Sequence, residues 1–207
     1  MIWTNTTLRR ELKGIVKANP DIADVVLFGS IVRGKEKPTD IDVLVLFKSK
    51  IAKNKEYLVR KIVERYGKNI AIISKTISTV IESAFDARES ILFEGVSLLS
   101  GKSLAEEQGF SSWGMFKYHF EGWTKLKKTK FYYALNGRNG KQGAAERHGC
   151  IKLSDQILLV PWSHIEPFRL FLEAWQLLHI YIPVLLPFRL ARKDLLESVH
   201  RDKWRRR

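Results

Sequence analysis

Cysteine is almost missing from this chain of 207 residues: Cys150 is the only one. No intrachain disulfide can form and no cysteine-rich zinc site can be built, which suits a reducing, cytoplasmic setting. The five histidines, His119, His148, His164, His179 and His200, are scattered without metal-ligand spacing, so no zinc centre is expected. The opening stretch, Met1 to Gly14, holds no apolar run of signal-peptide length. The greasiest window, Leu177 to Leu190, contains His179, Pro183, Pro187 and Arg189 and is too short to span a bilayer. It reads as core, and no membrane contact is expected. No internal repeat is visible.

Acidic residues are outnumbered, 22 against 36 basic ones, for a net charge of +14. Such an excess bears on partners rather than on fold, and nucleic acid is the commonest polyanionic partner. Hydrophobic residues make up 45% of the chain, enough for a proper core.

Periodicity predicts a helix capped by Thr6 or Thr7, with Leu8, Leu12, Ile15 and Val16 on one face. A buried strand, Val25 to Phe28, runs into a turn at Gly29-Ser30. A polar loop over Lys35 to Thr39 leads to a second strand, Ile41 to Phe47. A helix follows over Lys53 to Tyr66, with Leu58, Ile62 and Val63 inward, then a strand from Asn69 to Ser74, a helix over Thr79 to Phe85 and an apolar stretch from Ile91 to Leu99. This alternation is an α+β or α/β pattern. From about Lys102 the chain becomes aromatic and basic, so two domains are expected, 1–104 and 105–207, with the division near residues 101–110. In the second, Phe131 to Leu135 reads as a strand, Asn136 to Gly143 as a flexible glycine-rich basic loop, Ile151 to Val160 as a strand turning at Ser154-Asp155, and Ile165 to Leu178 as a helix. Trp113, Phe116, Trp123 and Trp175 read as core.

The chemistry concentrates around Leu27-Phe28-Gly29-Ser30-Ile31-Val32-Arg33-Gly34 and Asp40-Ile41-Asp42. At Gly29 a missing side chain lets backbone approach a ligand. Ser30 is expected to open a helical turn whose free N–H groups and hydroxyl suit a phosphate, with Arg33 adding charge one turn on. Asp40 and Asp42 are two apart at the start of a strand, so their side chains project together. Paired carboxylates plus phosphate oxygens describe a Mg²⁺ site.

This ordered combination resembles the signature of the DNA polymerase β-type nucleotidyltransferases, particularly the minimal members common in archaea and bacteria. The likeness covers roughly the first hundred residues and includes Phe93 to Leu99. It implies a mixed sheet with packed helices in the first domain; the second, read from its own pattern of elements, is expected to be a smaller α+β domain. The likeness also implies a nucleoside triphosphate at Gly29, Ser30 and Arg33, Mg²⁺ or Mn²⁺ on Asp40 and Asp42, and transfer of a nucleotidyl group to a hydroxyl. In the family a third carboxylate on a later strand helps orient metal and activate the acceptor. Here Ala71 stands at that place, with Glu89 or Glu94 as spatial substitutes.

In the second half, Lys127, Lys128, Arg138 and Lys141 are the best candidates for nucleic-acid contacts, with the Arg205 to Arg207 tail adding charge. Three readings follow: an active transferase acting on nucleic acid, RNA favoured, or on a protein hydroxyl; an impaired domain that only binds nucleotide or nucleic acid, motivated by Ala71; and a regulatory, antitoxin-like partner of another protein.

Overall fold

The computed structural model describes residues 4–35, 39–82 and 88–201. The end of the expected Thr79–Phe85 helix, the middle of the polar loop before Asp40, and the Arg205–Arg207 tail lie outside the described residues. The chain divides into two compact units, Met1–Gln108 and Gly109–Arg207. No helix among the described residues is long and apolar enough to cross a membrane.

The first unit is α+β. Helix α1 (Thr6–Ala18) precedes strands β1 (Ile22–Phe28) and β2 (Ile41–Phe47). Helix α2 (Lys53–Val63) then leads to β3 (Ile70–Thr76), and short helices α3 (Ile77–Ile81) and α4 (Arg88–Glu94) to β4 (Val96–Ser97) and α5 (Leu104–Glu107). The sheet order is β3-β2-β1-β4. β2 and β3 run parallel across the α2 crossover, while β1 is antiparallel to both its neighbours, so the sheet is mixed. Alternation along β2 sends Val43, Val45 and Phe47 to one face and Asp42, Leu44 and Leu46 to the other. Leu44 joins Val26, Val80 and Ile91 in a buried cluster under α3 and α4. The carboxylate of Asp42 therefore stands at the end of a row that is otherwise core.

Two local expectations shift. Asn5, rather than Thr6 or Thr7, caps α1, its side chain accepting from the N–H groups of Thr7 and Leu8 at 3.0 Å each. Leu58 is 42% exposed, because the inward stripe of α2 is Val59, Ile62 and Val63, one residue out of phase with it.

The second unit is also α+β. Long strand β5 (Phe110–His119) leads to α6 (Lys125–Asn136), the hairpin β6 (Gly137–Arg138) and β7 (Lys141–Gln142), and α7 (Ala144–Arg147). β8 (Ile151–Ser154), β9 (Ile157–Pro161), α8 (Ile165–Ala174), β10 (Leu178–Pro187) and α9 (Lys193–Arg201) complete it. The sheet order is β10-β5-β9-β8, all antiparallel. Its core is aromatic: Phe116, Tyr118, Phe131 and Phe168 are fully buried, with Trp123 and Trp175 both packed edge-on against Phe131.

Three expectations are corrected here. Phe131 to Leu135 is helical. Thr124 caps α6 by accepting from the Lys127 N–H, and the basic run Lys125–Lys130 supplies the helix's first turns. The aromatic β-formers Phe131, Tyr132 and Tyr133 are overruled by that cap and by burial of Phe131 and Leu135 at helical spacing. The greasy Leu177–Leu190 window is mostly edge strand rather than core, with Leu178 69% and Ile180 54% exposed. Among the described residues β10 pairs with β5 alone, and such an edge tolerates Pro183, which has no N–H to donate. The glycine loop is a tight hairpin: Asn139 and Gly140 both adopt positive φ, 53° and 76°, as a two-residue turn requires.

Asp24 in β1 is largely buried, its Oδ1 accepting from the Ser97 hydroxyl at 2.9 Å and the Val25 N–H at 2.7 Å. Burial pushes its pKa up from 3.8 to about 6, against the pull of these bonds. A folded-state pKa above the unfolded one means the neutral acid suits the fold. Stability from this group is present below about pH 4 and is lost as pH rises through about 6. Asp24→Asn should abolish that loss, so the stability of the variant relative to wild type should rise by about 2–3 kcal/mol between pH 4 and pH 7 in denaturant titrations. Parallel pH profiles for the two proteins would contradict this.

Candidate functional site

β1 ends where β2 begins, with Phe28 paired to Asp42. The next residue, Gly29, takes φ +84°, and a Cβ built there would overlap Asp42 Oδ2. Only glycine lets the turn lie this close to the carboxylate. Residues 30–34 form tight turns, closed by Val32 N–H to Gly29 O, Gly34 N–H to Ile31 O and Lys35 N–H to Ser30 O. The helical turn expected at Ser30 is thus a loop that Gly34, at φ +90°, brings to a stop. The loop therefore offers no helix N-terminus at Ser30.

Asp40 is exposed just before β2 and Asp42 is half-buried within it. The Asp42 pKa is raised, first by burial and then by the negative charge of Asp40, while Arg33 opposes both. The two acids therefore share one electrostatic field. Ala71 of β3 pairs in parallel register with Asp42 and is exposed, so the place beside Asp42 carries a methyl group. Glu89 is exposed in the first turn of α4.

Glu94 behaves differently. Its side chain is 3% exposed at the end of α4. One oxygen accepts the Gly29 N–H at 2.9 Å, and Arg33 Nη1 reaches both oxygens at 2.9 and 2.7 Å. Burial raises its pKa, the Arg33 charge and these bonds lower it, and Asp42 adds a smaller upward push. Glu94 thus does not stand in for the acid absent at Ala71; it anchors the turn. Sequence reasoning offered it only as a spatial substitute. The available signal was a lone acid inside the apolar run Ile91–Leu99, which burial makes costly without a cation.

Among the described residues no group of three or more histidine, cysteine, aspartate or glutamate side chains could hold a metal ion. Asp40 and Asp42 are two hard oxygen donors whose mutual repulsion a divalent cation would relieve, and substrate phosphates would have to complete its shell. This donor set fits one nucleotide-borne Mg²⁺ or Mn²⁺. It does not offer the third carboxylate.

In the second unit, Lys127 Nζ lies 4.0 Å from the Trp123 ring centroid and Lys128 Nζ 6.0 Å from that of Phe120. Arg138 and Lys141 face each other across the β6–β7 hairpin, with the Arg138 guanidinium 4.4 Å over Tyr133. Two of the four candidates sit near the start of α6 and two in the hairpin just past its end.

The family model "Polymerase beta, Nucleotidyltransferase" matches residues 10–100. No curated protein matches the chain. Among solved structures, the chain is similar to one from the complex of a tri-AMPylated Shewanella oneidensis HEPN toxin with MNT antitoxin. The identity is 16% and the TM-score 0.31, with 49% of this chain and 76% of that chain covered.

Removing Glu94 tests the anchor. Glu94→Ala leaves the Arg33 guanidinium and the Gly29 N–H without their carboxylate, and should cost about 3–5 kcal/mol in chemical denaturation. Glu94→Gln keeps an acceptor for the Gly29 N–H and should lose clearly less. Equal, small losses in both variants would show that the ion pair does not hold the turn.

Proposed function

We propose, on the match of residues 10–100 to the polymerase β nucleotidyltransferase family model, that the chain transfers a nucleotidyl group from a nucleoside triphosphate to a hydroxyl on nucleic acid, RNA favoured, in a metal-dependent reaction. The observation that carries this reading is the Asp42 carboxylate set directly against the side-chain-free turn at Gly29. In the reaction the acceptor hydroxyl oxygen attacks the α-phosphate in line, a new P–O bond forms as the hydroxyl proton passes to water, the bond to the bridging oxygen of the β-phosphate breaks, and pyrophosphate leaves. Gly29 and Ser30 receive the phosphates, Arg33 supplies positive charge at the same turn under the hold of Glu94, and Asp40 with Asp42 would hold the metal. A divalent ion bound there supplies charge neutralisation and alignment of the phosphates. The protein's part is positioning and preorganised charge. Lys127, Lys128, Arg138 and Lys141 of the second unit would contact acceptor phosphates.

Ala71 favours a second reading. With Ala71 beside Asp42, β3 supplies no carboxylate to take the acceptor's proton, and the domain would bind nucleotide with little or no turnover.

Incubation with each labelled triphosphate, Mg²⁺ or Mn²⁺ and total RNA separates the two. Label on RNA is the expected result. Label nowhere, with metal-dependent triphosphate binding retained in calorimetry, would establish the second reading. Asp40→Ala combined with Asp42→Ala should abolish that binding while stability holds or rises, since like-charge repulsion is relieved; unchanged affinity would refute the site. Ala71→Asp, at an exposed position, should raise transfer by about tenfold or more if the missing acid limits the rate.

For the acceptor surface the readout is salt. Association with single-stranded RNA should fall with a log–log slope of about −0.7 per phosphate neutralised. Replacing Lys127, Lys128, Arg138 and Lys141 by alanine should weaken binding across sequences and flatten the slope by up to about 3. Superimposable salt titrations of wild type and quadruple variant would remove these residues from the interface.

A further inference from the structure

Lys128, Tyr132 and Asn136 are spaced four residues apart along α6, and Thr129 and Tyr133 follow the same step, so all lie along one side of the helix. That side lines a pocket of about 520 Å³, within the ~300–1,000 Å³ of ordinary ligand sites. Its floor is apolar, formed by the buried rings and methyls of Phe131 and Leu135. Tyr132 and Tyr133 stand at its edge, 54% and 37% exposed. Each has a cation at hand: Lys152 Nζ from β8 lies 5.7 Å from the Tyr132 centroid, and the Arg138 guanidinium 4.4 Å from that of Tyr133. Lys152 is also paired at 2.9 Å with Asp155, the acid among the residues that line the pocket.

Two neighbouring phenol rings in solvent, flanked by cations over an apolar floor, call for a flat ligand that carries negative charge at intervals. The surrounding charge agrees. Residues 109–207 hold 18 of the 36 basic residues but only 8 of the 22 acidic ones. Unpaired nucleotides have both properties: every base has a π-face, and every linkage has a phosphate. In a duplex those faces are stacked away. An acidic peptide would use the cations and leave the rings and floor unused.

We infer that this pocket is a base-stacking site for single-stranded nucleic acid, in which unpaired bases lie against Tyr132 and Tyr133 while neighbouring phosphates meet Lys128, Arg138 and Lys152. The inference rests on the reading of the second unit as a nucleic-acid surface and adds to it the residues that touch bases. Stacking of this kind is tolerant of sequence, so the site selects strandedness rather than a motif.

The test uses the full chain without metal or triphosphate, which keeps it independent of transfer. Fluorescence anisotropy compares a labelled single-stranded RNA, the same sequence as duplex, and free AMP as competitor. The single strand should bind more tightly than the duplex, and AMP should not displace it. Tyr132→Ala with Tyr133→Ala should weaken single-strand binding by about tenfold or more, whereas Tyr132→Phe with Tyr133→Phe, which keeps the rings, should stay within about twofold of wild type. Photo-cross-links from 4-thiouridine in the strand should map to the segment holding Tyr132 and Tyr133. If wild type binds RNA but the alanine pair binds equally well and cross-links fall elsewhere, the pocket is not the base site, while the wider nucleic-acid reading stands. Displacement by AMP as effective as by the strand would reassign it to free nucleotides. No binding of wild type to single strands at low salt would overturn both.

Discussion

The geometry of the first unit hangs on one buried carboxylate. Glu94 receives the Gly29 N–H and the Arg33 guanidinium from a turn more than sixty residues earlier in the chain. A buried ion pair adds little net stability compared with apolar groups of the same size, because desolvation opposes its attraction. What it contributes here is definition. The turn is closed locally by its own backbone bonds, and Glu94 adds the long-range tie that directs the Gly29 N–H and the Arg33 guanidinium. The scaffold behind the pair is the cluster of Val26, Leu44, Val80 and Ile91, which sets α4 against the sheet and so places Glu94.

Beside that anchor, Asp42 sits in a field of three influences: burial and Asp40 raise its pKa, and Arg33 lowers it. The neighbouring position on β3, which could have supplied another acid, is Ala71. Under the proposed reading, binding and chemistry can be uncoupled at this site, because β3 carries a methyl group where a further acid would stand beside Asp42.

The second unit solves a different problem. Its core is built from aromatic rings packed edge-on, which fills a small volume with few residues. Its surface keeps further aromatics within 6.0 Å of lysine and arginine side chains. Gly137 and Gly143 press so closely together that a Cβ on either would strike the other's backbone, which pins the Arg138–Lys141 hairpin to the end of α6. Charge that reads as a flexible loop is in fact held on a fixed turn.

The mixed α+β architecture of the first unit, the strand–glycine–serine turn and the Asp40–Asp42 pair follow from the sequence alone, because each depends on neighbours within a few residues: a two-residue strand period, a glycine where φ is positive, a helix period of 3.6. Ala71 opposite Asp42 was also legible, since parallel register after a single crossover leaves little freedom. The role of Glu94 was not, because an ion pair across sixty residues exists only once α4 folds back on β1. Nor was the helical state of Phe131–Leu135 or the exposure of β10. Both segments are apolar enough to be core strands by composition. What decides them is a cap at Thr124 in one case and a missing neighbour strand in the other, and the second of these is set only when the whole sheet has assembled.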